Sequence, residues 1–511
     1  MQIIEIMKMH NIKYTLAFVL GLLVFSACDS DFEEINANPN QPEAVTSDLL
    51  LTNIIIGSVR EMDGMAWGSG NVIAQHVAKI QFTGRDRYDW GPEGSPWFDF
   101  YNLLRDVNNI LDIEENENSY VATALILKSW MYQIMTDLYG DIPYSQAIQG
   151  KSEGNFTPVF DSQEAIYAGI QSDLERANDI LNSNRTPISG DVLFNGDLDR
   201  WQKLANSLRL RVLLRQSAQV DPSAAMSAIL NNPNAPIFTG NEDQAVFDYL
   251  ASAPNQQPLF TTRSGSFDEY RLSQLMENTL KSLNDNRLYA YAQPTTNSGA
   301  GLVGAPDDYV GVPNGLADES ALIFNGGSNF VSRVGLLYSC LVCDDNASPT
   351  ARQGMIMTYA ELQFILAEAA EKGFISGDAE TYYFNGIEAS YDYFMQRTAL
   401  ISPEISMAVM PADDYFTQEA VAYTGIQAEK LEKIGTQKWL ALFFNGTEAW
   451  AEWRRTGIPE LRPGPDALIS QVPTRFMYPI EAQSLNGDNY RAAVASQGPD
   501  NITTQVWWDA E

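Results

Sequence analysis

Histidine and cysteine are scarce in this chain of 511 residues, which contains two histidines and three cysteines. Two of the cysteines, Cys340 and Cys343, are separated by two residues and could form half of a zinc site. A tetrahedral zinc site needs two further ligands, and the only histidines are His10 and His76. A redox-active dithiol is expected at the start of a helix in a thioredoxin-like unit, which the surrounding pattern does not indicate. We therefore expect either a local disulfide or a pair of free thiols.

Motifs that carry out catalysis are also missing. No nucleophile elbow, HExxH zinc motif, P-loop or dinucleotide-binding glycine motif stands in a fitting context. Paired carboxylates, as in a helical glycoside hydrolase, arise by chance among 65 acidic residues and carry no specific signal. His76 is more typical of a core or solvent-facing side chain than of a general base. The sequence therefore indicates that the chain is not an enzyme, with a surface glycoside hydrolase as an alternative.

Positive charge is in short supply, because 32 Lys and Arg residues face 65 Asp and Glu residues and leave a net charge of -33. Such a surface repels the phosphates of nucleic acids and of anionic lipids, so neither is expected as an electrostatic partner. Acidic loops such as the one at Asp307 and Asp308 lack the spaced ligand set that calcium requires. We expect no metal ion and no cofactor.

Long apolar runs are absent too, and the clearest short one lies near the N-terminus. Residues 15–25 form a run of 11 residues, whereas a membrane-spanning helix needs about 20. The run has the length of the apolar part of a signal peptide and follows Lys8 and Lys13. We expect residues 1–27 to be a signal peptide.

The residues that follow this run indicate how the mature chain is attached to a membrane. Small residues directly before Cys28 resemble the lipobox of bacterial lipoproteins, except that Phe25 stands where leucine is usual. Two or three acyl chains on Cys28 would anchor the chain stably. The alternative is an ordinary secretory signal. The acidic stretch Asp29–Glu34 resembles the surface-export signal of Bacteroidetes lipoproteins or is a solvated linker, and residues 28–45 are expected to form a tether.

Most of the chain beyond residue 45 shows the apolar spacing of helices that come in pairs. Apolar residues recur three and four positions apart in several stretches. These stretches begin at Ala124, Trp201, Tyr359 and Tyr383. Asp161–Glu164 forms a capping box that predicts a helix to about residue 181, and a further pair is expected around Leu440–Trp450. Helix–turn–helix units of this kind are typical of tetratricopeptide-like repeats, here over residues 46–250 and 356–460.

Residues 251–355 differ from the helical stretches, because Gly, Pro, Asn, Ser and Thr are frequent there and few helical faces occur. We expect a loop-rich insert with one helix near residues 271–284 and short strands. Long loops on a rigid scaffold are where binding sites usually lie.

Aromatic rings cluster in the insert and in an early loop at residues 85–97. Two Trp and one Tyr stand in that loop between Gly and Pro residues, where they are hard to bury together. Ring faces beside polar side chains suit the apolar face and the hydroxyls of a sugar. The alternative is that the rings only fill the core of the scaffold. The predicted ligand-binding residues are Trp67, Tyr88, Trp90, Trp97, Phe260, Phe267 and Tyr309.

Several segments, taken in order, resemble the SusD/RagB family of nutrient-binding outer-membrane lipoproteins, in the branch called SusD-like 2. They follow the lipobox and its acidic tail over nearly the whole chain. They are Asn38–Pro42, Thr136–Tyr144, Arg200–Arg211, Met357–Ala369, Glu448–Pro459, Arg475–Pro479, Asn486–Tyr490 and Trp507–Asp509. The number and order of these segments carry the resemblance, because no single one is diagnostic.

The resemblance implies a mainly α-helical fold with few short strands. Four tetratricopeptide-like helix pairs would carry a loop-rich subdomain that forms the ligand face. Residues 46–511 would then be a single domain that ends in a cap over residues 461–511.

The resemblance also implies a function. The chain would be lipid-anchored to the outer membrane and exposed at the cell surface. It would capture oligosaccharides or oligopeptides and deliver them to a SusC-like TonB-dependent barrel. The alternative is a repeat scaffold that binds peptides or proteins and has no nutrient ligand.

Overall fold

The computed structural model describes residues 45–114 and 116–509. The expected signal peptide, Cys28 and the tether up to residue 44 lie outside these residues. Within the described ranges, no helix is both long and apolar enough to cross a lipid bilayer. The fold is mainly α-helical with few short strands, as expected.

Helices of six or more residues form the scaffold. They are α1 (Ser47–Met65), α2 (Ser95–Ile113), α3 (Ser119–Tyr139), α4 (Gln163–Ser183), α5 (Leu198–Arg215), α6 (Ser223–Leu230), α7 (Gln274–Ser282), α8 (Asp318–Ile323), α9 (Tyr359–Glu371), α10 (Ala379–Ala399), α11 (Pro403–Val409), α12 (Gln427–Ala441), α13 (Gly446–Thr456), α14 (Ile480–Leu485) and α15 (Gly487–Gln497). A π-helical turn, Ala66–Gly70, continues α1, and shorter helices lie at Asn71–Ile73, Ser264–Asp268 and Leu288–Tyr291.

Short strands connect the insert to the rest of the chain. They are β1 (Val77–Lys79), β2 (Ala245–Asp248), β3 (Tyr270–Leu272) and β4 (Gln353–Met357). β1 pairs antiparallel with β3, with Val77 opposite Leu272, and this pairing joins the early part of the chain to the insert. β2 pairs antiparallel with β4, with Asp248 opposite Gln353, so the two ends of the insert meet in one sheet.

Consecutive helices pack against each other as the apolar spacing predicts. The contacting pairs include α1 with α2, α3 with α4, α4 with α5, α9 with α10, and α12 with α13. The apolar stretch Leu440–Trp450 is divided between two helices, because α12 ends at Ala441 and α13 begins at Gly446. Glycine is required at Gly446, because an added Cβ would collide with the backbone of Asn71.

The start of α4 differs in detail from the predicted capping box. Ser162, rather than Asp161, caps this helix, and its hydroxyl accepts a hydrogen bond from the N–H of Ala165 at 3.3 Å. Asp161 instead accepts hydrogen bonds from the backbone N–H groups of Tyr144 and Ser145 at 2.9 and 2.8 Å. This contact holds the loop that follows α3 against the start of α4.

Buried charged side chains join five helices in a network that we call the charge cluster. Its members are Asp137 (α3), Arg211 and Arg215 (α5), Glu361 and Glu368 (α9), Lys438 (α12), and Glu448, Glu452 and Arg455 (α13). Arg211 Nε lies 2.6 Å from Glu361 Oε1, and Arg215 lies 2.7 Å from Asp137 Oδ2. Burial raises the pKa of Glu452, but the cations of the cluster, Arg455 foremost, bring it well below its usual range. Glu452 is therefore ionised inside the protein.

Cys340 and Cys343 form a disulfide within the insert, which is one of the two expected arrangements. Cys340 is buried, whereas Leu341 and Val342 between the two cysteines are exposed.

His76 lies in the core, against the rings of Trp439 and Phe443 at centroid distances of 5.0 and 5.5 Å. Burial lowers the pKa of His76 to about 3, so the imidazole is neutral. Its Nε2 lies 3.0 Å from the carbonyl oxygen of Trp439 and donates to it. His76 is therefore a structural residue of the core, with no surface exposed to solvent.

Candidate ligand-binding surfaces

The loop at residues 80–90 is positioned by residues of the insert. Lys79, just before the loop, places its Nζ 3.0 Å from the carboxylate of Glu269. Asp86 is buried and accepts hydrogen bonds from the backbone N–H of Lys79 at 3.0 Å and from the side-chain amide of Asn314 at 2.7 Å. Burial raises the pKa of Asp86 to about 6, although these hydrogen bonds oppose the rise. The loop is thus tied to two separate parts of the insert.

Phe82 occupies a strained and exposed position in this loop. Its φ is +52°, a region that bulky side chains rarely adopt, and 68% of its surface is exposed. At the next residue, the N–H of Thr83 donates a hydrogen bond to Asp318 Oδ1 at 2.7 Å. This hydrogen bond lowers the pKa of Asp318, so the carboxylate stays ionised and the hydrogen bond is charge-assisted. Strained residues persist only where their surroundings impose the conformation, and they concentrate at functional sites.

Exposed apolar side chains of the insert lie on segments that pack together with the Phe82 loop. Ile80, Ala321 and Val331 belong to one small buried cluster, which joins the loop, α8 and the turn after α8. Neighbours of these residues point outward and are exposed. We call this exposed set the insert ridge: Phe82, Leu322, Ile323 and Phe330.

Polar side chains alternate with the apolar residues of the insert ridge. The amide of Asn325 donates to the carbonyl oxygen of Phe330 at 2.9 Å and so shapes the turn between them. The side chains of Ser328 and Asn329 are exposed and make no hydrogen bond within the described part of the chain. The rings and aliphatic side chains can contact the apolar face of a sugar. The free amide and hydroxyl groups can bond its hydroxyls.

The seven rings predicted from the sequence lie mostly beneath the surface. Six of them have at most 9% of their surface exposed: Trp67, Tyr88, Trp97, Phe260, Phe267 and Tyr309. Trp90 is half-buried, and its indole N–H donates to the carbonyl oxygen of Arg85 at 2.9 Å. Five of the six buried rings offer no open face to a ligand, whereas Trp97 contributes its small exposed part to the groove described below. Their contact with ligand therefore stays a prediction.

Partners from distant parts of the chain explain why these rings are buried. Trp67 is 4.3 Å from the ring of Tyr270 and 5.8 Å from that of Phe267, so the structure brings two predicted residues together. Trp97 is 5.2 Å from the ring of Tyr139 and 5.9 Å from that of Tyr478. The rings thus join the turn that continues α1 to the insert, and the early loop to α3 and the C-terminal part.

A second candidate surface is a groove where α2, the loop at residues 143–160 and α14 meet. Its volume is about 540 Å³, and we call it the α2 groove. Its apolar wall includes Trp97, Phe98, Tyr101, Phe156, Phe160 and Leu485. Trp97 is the one predicted ring that lines it. Phe156 and Leu485 are the most exposed side chains of this wall, at 79% and 74%.

Acidic side chains come together between α1 and α2. The pKa of Glu61 is raised to about 7. Burial is the largest cause, and the nearby carboxylates of Asp99 and Glu93 contribute to the rise. Glu61 is therefore protonated below neutral pH and about half ionised at pH 7. Among the described residues, no three His, Cys, Asp or Glu side chains are arranged to hold a metal ion.

Comparison with known proteins identifies the family. The family model of SusD-like 2, described as starch-binding and associating with the outer membrane, matches residues 39–479. The chain belongs to this SusD-like family. Among curated proteins, none matches the chain.

Solved structures of related proteins share the SusD-like fold over almost their full length. An outer membrane protein of Bacteroides vulgatus ATCC 8482 connected with nutrient binding is 27% identical, with a TM-score of 0.78 over 91% of this chain and 100% of that one. A SusD homologue of Bacteroides fragilis NCTC 9343 is 27% identical, with a TM-score of 0.76 over 92% and 100%. A chitin-binding protein is 27% identical, with a TM-score of 0.71 over 91% and 99%.

Sequence reasoning did not single out the residues of the insert ridge in this SusD-like protein. Most of the predicted rings are buried against other side chains instead. Phe82 lies two positions after Ile80, and Phe330 stands directly before Val331, so the local apolar pattern does not separate these two rings from buried ones. No local signal in the sequence therefore marks Phe82 and Phe330 as exposed.

Proposed function

We propose that this SusD-like protein captures oligosaccharides at the cell surface and delivers them to a SusC-like TonB-dependent transporter, without changing them chemically. The observation that carries the proposal is Phe82, an exposed ring that the insert holds at a positive φ. A ring kept in this unfavourable conformation at the surface has no packing role that explains it.

The chemistry of the insert ridge favours a sugar as the ligand. The apolar face of a pyranose can stack on Phe82 or Phe330, while the free groups of Ser328 and Asn329 can bond its hydroxyls. A related protein with 27% identity binds chitin, which makes oligomers of N-acetylglucosamine the first ligand to test. Oligopeptide capture remains the alternative nutrient class.

Attachment and delivery rest on the family and on the N-terminal sequence. The family is described as associating with the outer membrane, which supports anchoring through a lipid on Cys28. A protein held at the membrane in this way keeps its ligand close to a transporter in the same membrane.

The binding experiment compares two single-ring variants by calorimetry with chitohexaose. Phe82→Ala should weaken sugar binding roughly fivefold to tenfold, because a stacked ring contributes about 1 kcal/mol. Phe156→Ala removes an equally exposed phenylalanine from the α2 groove and should leave the affinity unchanged. Equal affinity in Phe82→Ala and the unaltered protein would place the sugar elsewhere. Binding of mixed oligopeptides but of no sugar would favour the peptide alternative.

The delivery step is tested in cells that carry the transporter. Cys28→Ala should abolish membrane attachment and reduce uptake of the sugar, although the purified variant still binds it. Undiminished uptake by cells that make only this variant would contradict a lipid-anchored delivery role.

A further inference from the structure

Two cationic side chains stand apart from all others in the described part of the chain. Every other described Lys or Arg side chain makes at least one hydrogen bond or ion pair, whereas Arg105 and Lys151 make none and contact no ring. Both are exposed, and both line the α2 groove. They come from different segments, α2 and the loop at residues 143–160.

This pairing of free cations is unusual for so acidic a chain. Acidic residues outnumber Lys and Arg by 65 to 32, so a cation has many chances to find a carboxylate. The lining of the α2 groove contains a single acidic side chain, Glu481. The groove therefore carries spare positive charge on an otherwise negative surface, and this favours an anionic ligand.

Two of the three asparagine amides in the groove lining are engaged within the protein, and only that of Asn102 makes no hydrogen bond among the described residues. The amide of Asn155 donates to Gln146 at 3.2 Å and its oxygen accepts from the N–H of Thr157 at 3.2 Å. The amide of Asn486 donates to the carbonyl oxygen of Pro158 at 2.7 Å. Few donors and acceptors are left for the many hydroxyls of a sugar, so the groove differs from the insert ridge.

The apolar wall of the groove indicates what else the ligand must carry. Phe98, Phe156 and Leu485 are exposed, and such an apolar patch marks an interaction site. The volume of about 540 Å³ is that of a pocket for a small or oligomeric ligand. With few free donors and acceptors beside them, these apolar residues suit bulky apolar side chains of a ligand better than the hydroxyl-rich surface of a sugar.

We propose that the α2 groove binds a short peptide segment that combines bulky apolar side chains with carboxylates. Two cations on separate segments suit a ligand with more than one carboxylate, which distinguishes such a peptide from a fatty acid. This site is independent of the sugar site at the insert ridge and goes beyond the proposed function.

The test uses fluorescence anisotropy of a fluorescein-labelled hexapeptide in which glutamate alternates with leucine and phenylalanine. The purified protein should bind it, and binding should weaken as salt is added. The double variant Arg105→Gln/Lys151→Gln should weaken binding about tenfold. Arg462→Gln is the matched control, because it removes an exposed cation that pairs with Glu460 outside the groove.

The other variants and probes decide between this proposal and its rivals. Phe156→Ala should weaken peptide binding and leave chitohexaose binding unchanged, whereas Phe82→Ala should do the reverse. A labelled peptide with glutamine in place of glutamate should bind the unaltered protein about as weakly as the glutamate peptide binds the double variant. The proposal is overturned if the double variant and Arg462→Gln bind the peptide equally well. It is also overturned if hexagalacturonate or laurate, but not the peptide, binds in a manner that depends on Arg105 and Lys151.

Discussion

The carboxylate of Asp318 accepts a hydrogen bond from the backbone N–H of Thr83 at 2.7 Å, across 235 positions of the sequence. This bond fixes the backbone beside Phe82 to the first turn of α8. The ring that we propose to stack on a sugar is therefore oriented by a residue of the insert rather than by its own loop.

Removing this anchor should weaken sugar binding without unfolding the protein. Asp318→Ala is expected to lower the affinity for chitohexaose about threefold to tenfold, because the Phe82 loop loses its fixed position. Glu319→Ala is the matched control, since Glu319 is an exposed acid on the same turn that makes no hydrogen bond among the described residues. Calorimetry measures the affinity, and equal values for the two variants would contradict the anchoring role.

The strain at Phe82 can be measured by comparing two substitutions that both remove the ring. Glycine adopts a positive φ freely and alanine does not, so Phe82→Gly should be more stable than Phe82→Ala by about 1 kcal/mol. Both variants should lose affinity for chitohexaose to the same extent. Urea unfolding gives the free energies, and a more stable Phe82→Ala would show that the backbone is not strained at this position.

Removing one partner of a buried ion pair in the charge cluster should destabilise the fold strongly. Arg211→Met leaves Glu361 buried without its partner, and we expect a loss of about 3–5 kcal/mol in the free energy of unfolding. The double variant Arg211→Met/Glu361→Leu removes both charges and should recover most of that loss. Urea unfolding followed by tryptophan fluorescence tests this, and a single variant as stable as the unaltered protein would refute it.

Glu61 should make the stability depend on pH around neutrality. Its pKa is about 7 in the folded protein against 4.5 as the ordinary value. Between these values the folded state holds a proton that the unfolded state releases, so stability falls as the pH rises through this window. Above pH 7 the ionised, mostly buried carboxylate opposes folding. Glu61→Gln should therefore be more stable than the unaltered protein at pH 8, on the order of 1–3 kcal/mol, and of similar stability at pH 4.5.

Thermal unfolding at pH 4.5, 6 and 8 measures this effect. Asp99→Asn is a second check, because it removes one of the neighbouring charges that raise the pKa of Glu61 and should reduce the pH dependence. A difference between Glu61→Gln and the unaltered protein that is the same at all three pH values would contradict the assignment.

The scaffold could be predicted from the sequence because its signals are local. The apolar faces that begin at Ala124 and Trp201 lie in α3 and α5, and those at Tyr359 and Tyr383 lie in α9 and α10. Details that depend on contacts between distant residues were not predictable. The break between α12 and α13 is one example, since it reflects the close approach of Gly446 to Asn71.

The candidate site could be predicted in region but not in its residues. The pairing of β1 with β3 places the segment that leads into the early loop against the insert. Whether Trp97 reaches the surface depends on Tyr139 and Tyr478, which are distant in sequence and cover it. The exposure of Phe82 depends equally on Asp318. A single sequence contains no spacing that reports such contacts.

The charge cluster links the two halves of the chain that the insert separates. Its carboxylates and cations come from α3 and α5 on one side and from α9, α12 and α13 on the other. A partly folded chain that kept only one side would leave buried ions unpaired, at a cost of several kcal/mol for each. Such half-folded forms are therefore too unstable to accumulate, and the scaffold should melt and refold in a single cooperative step, despite its construction from repeated helix pairs.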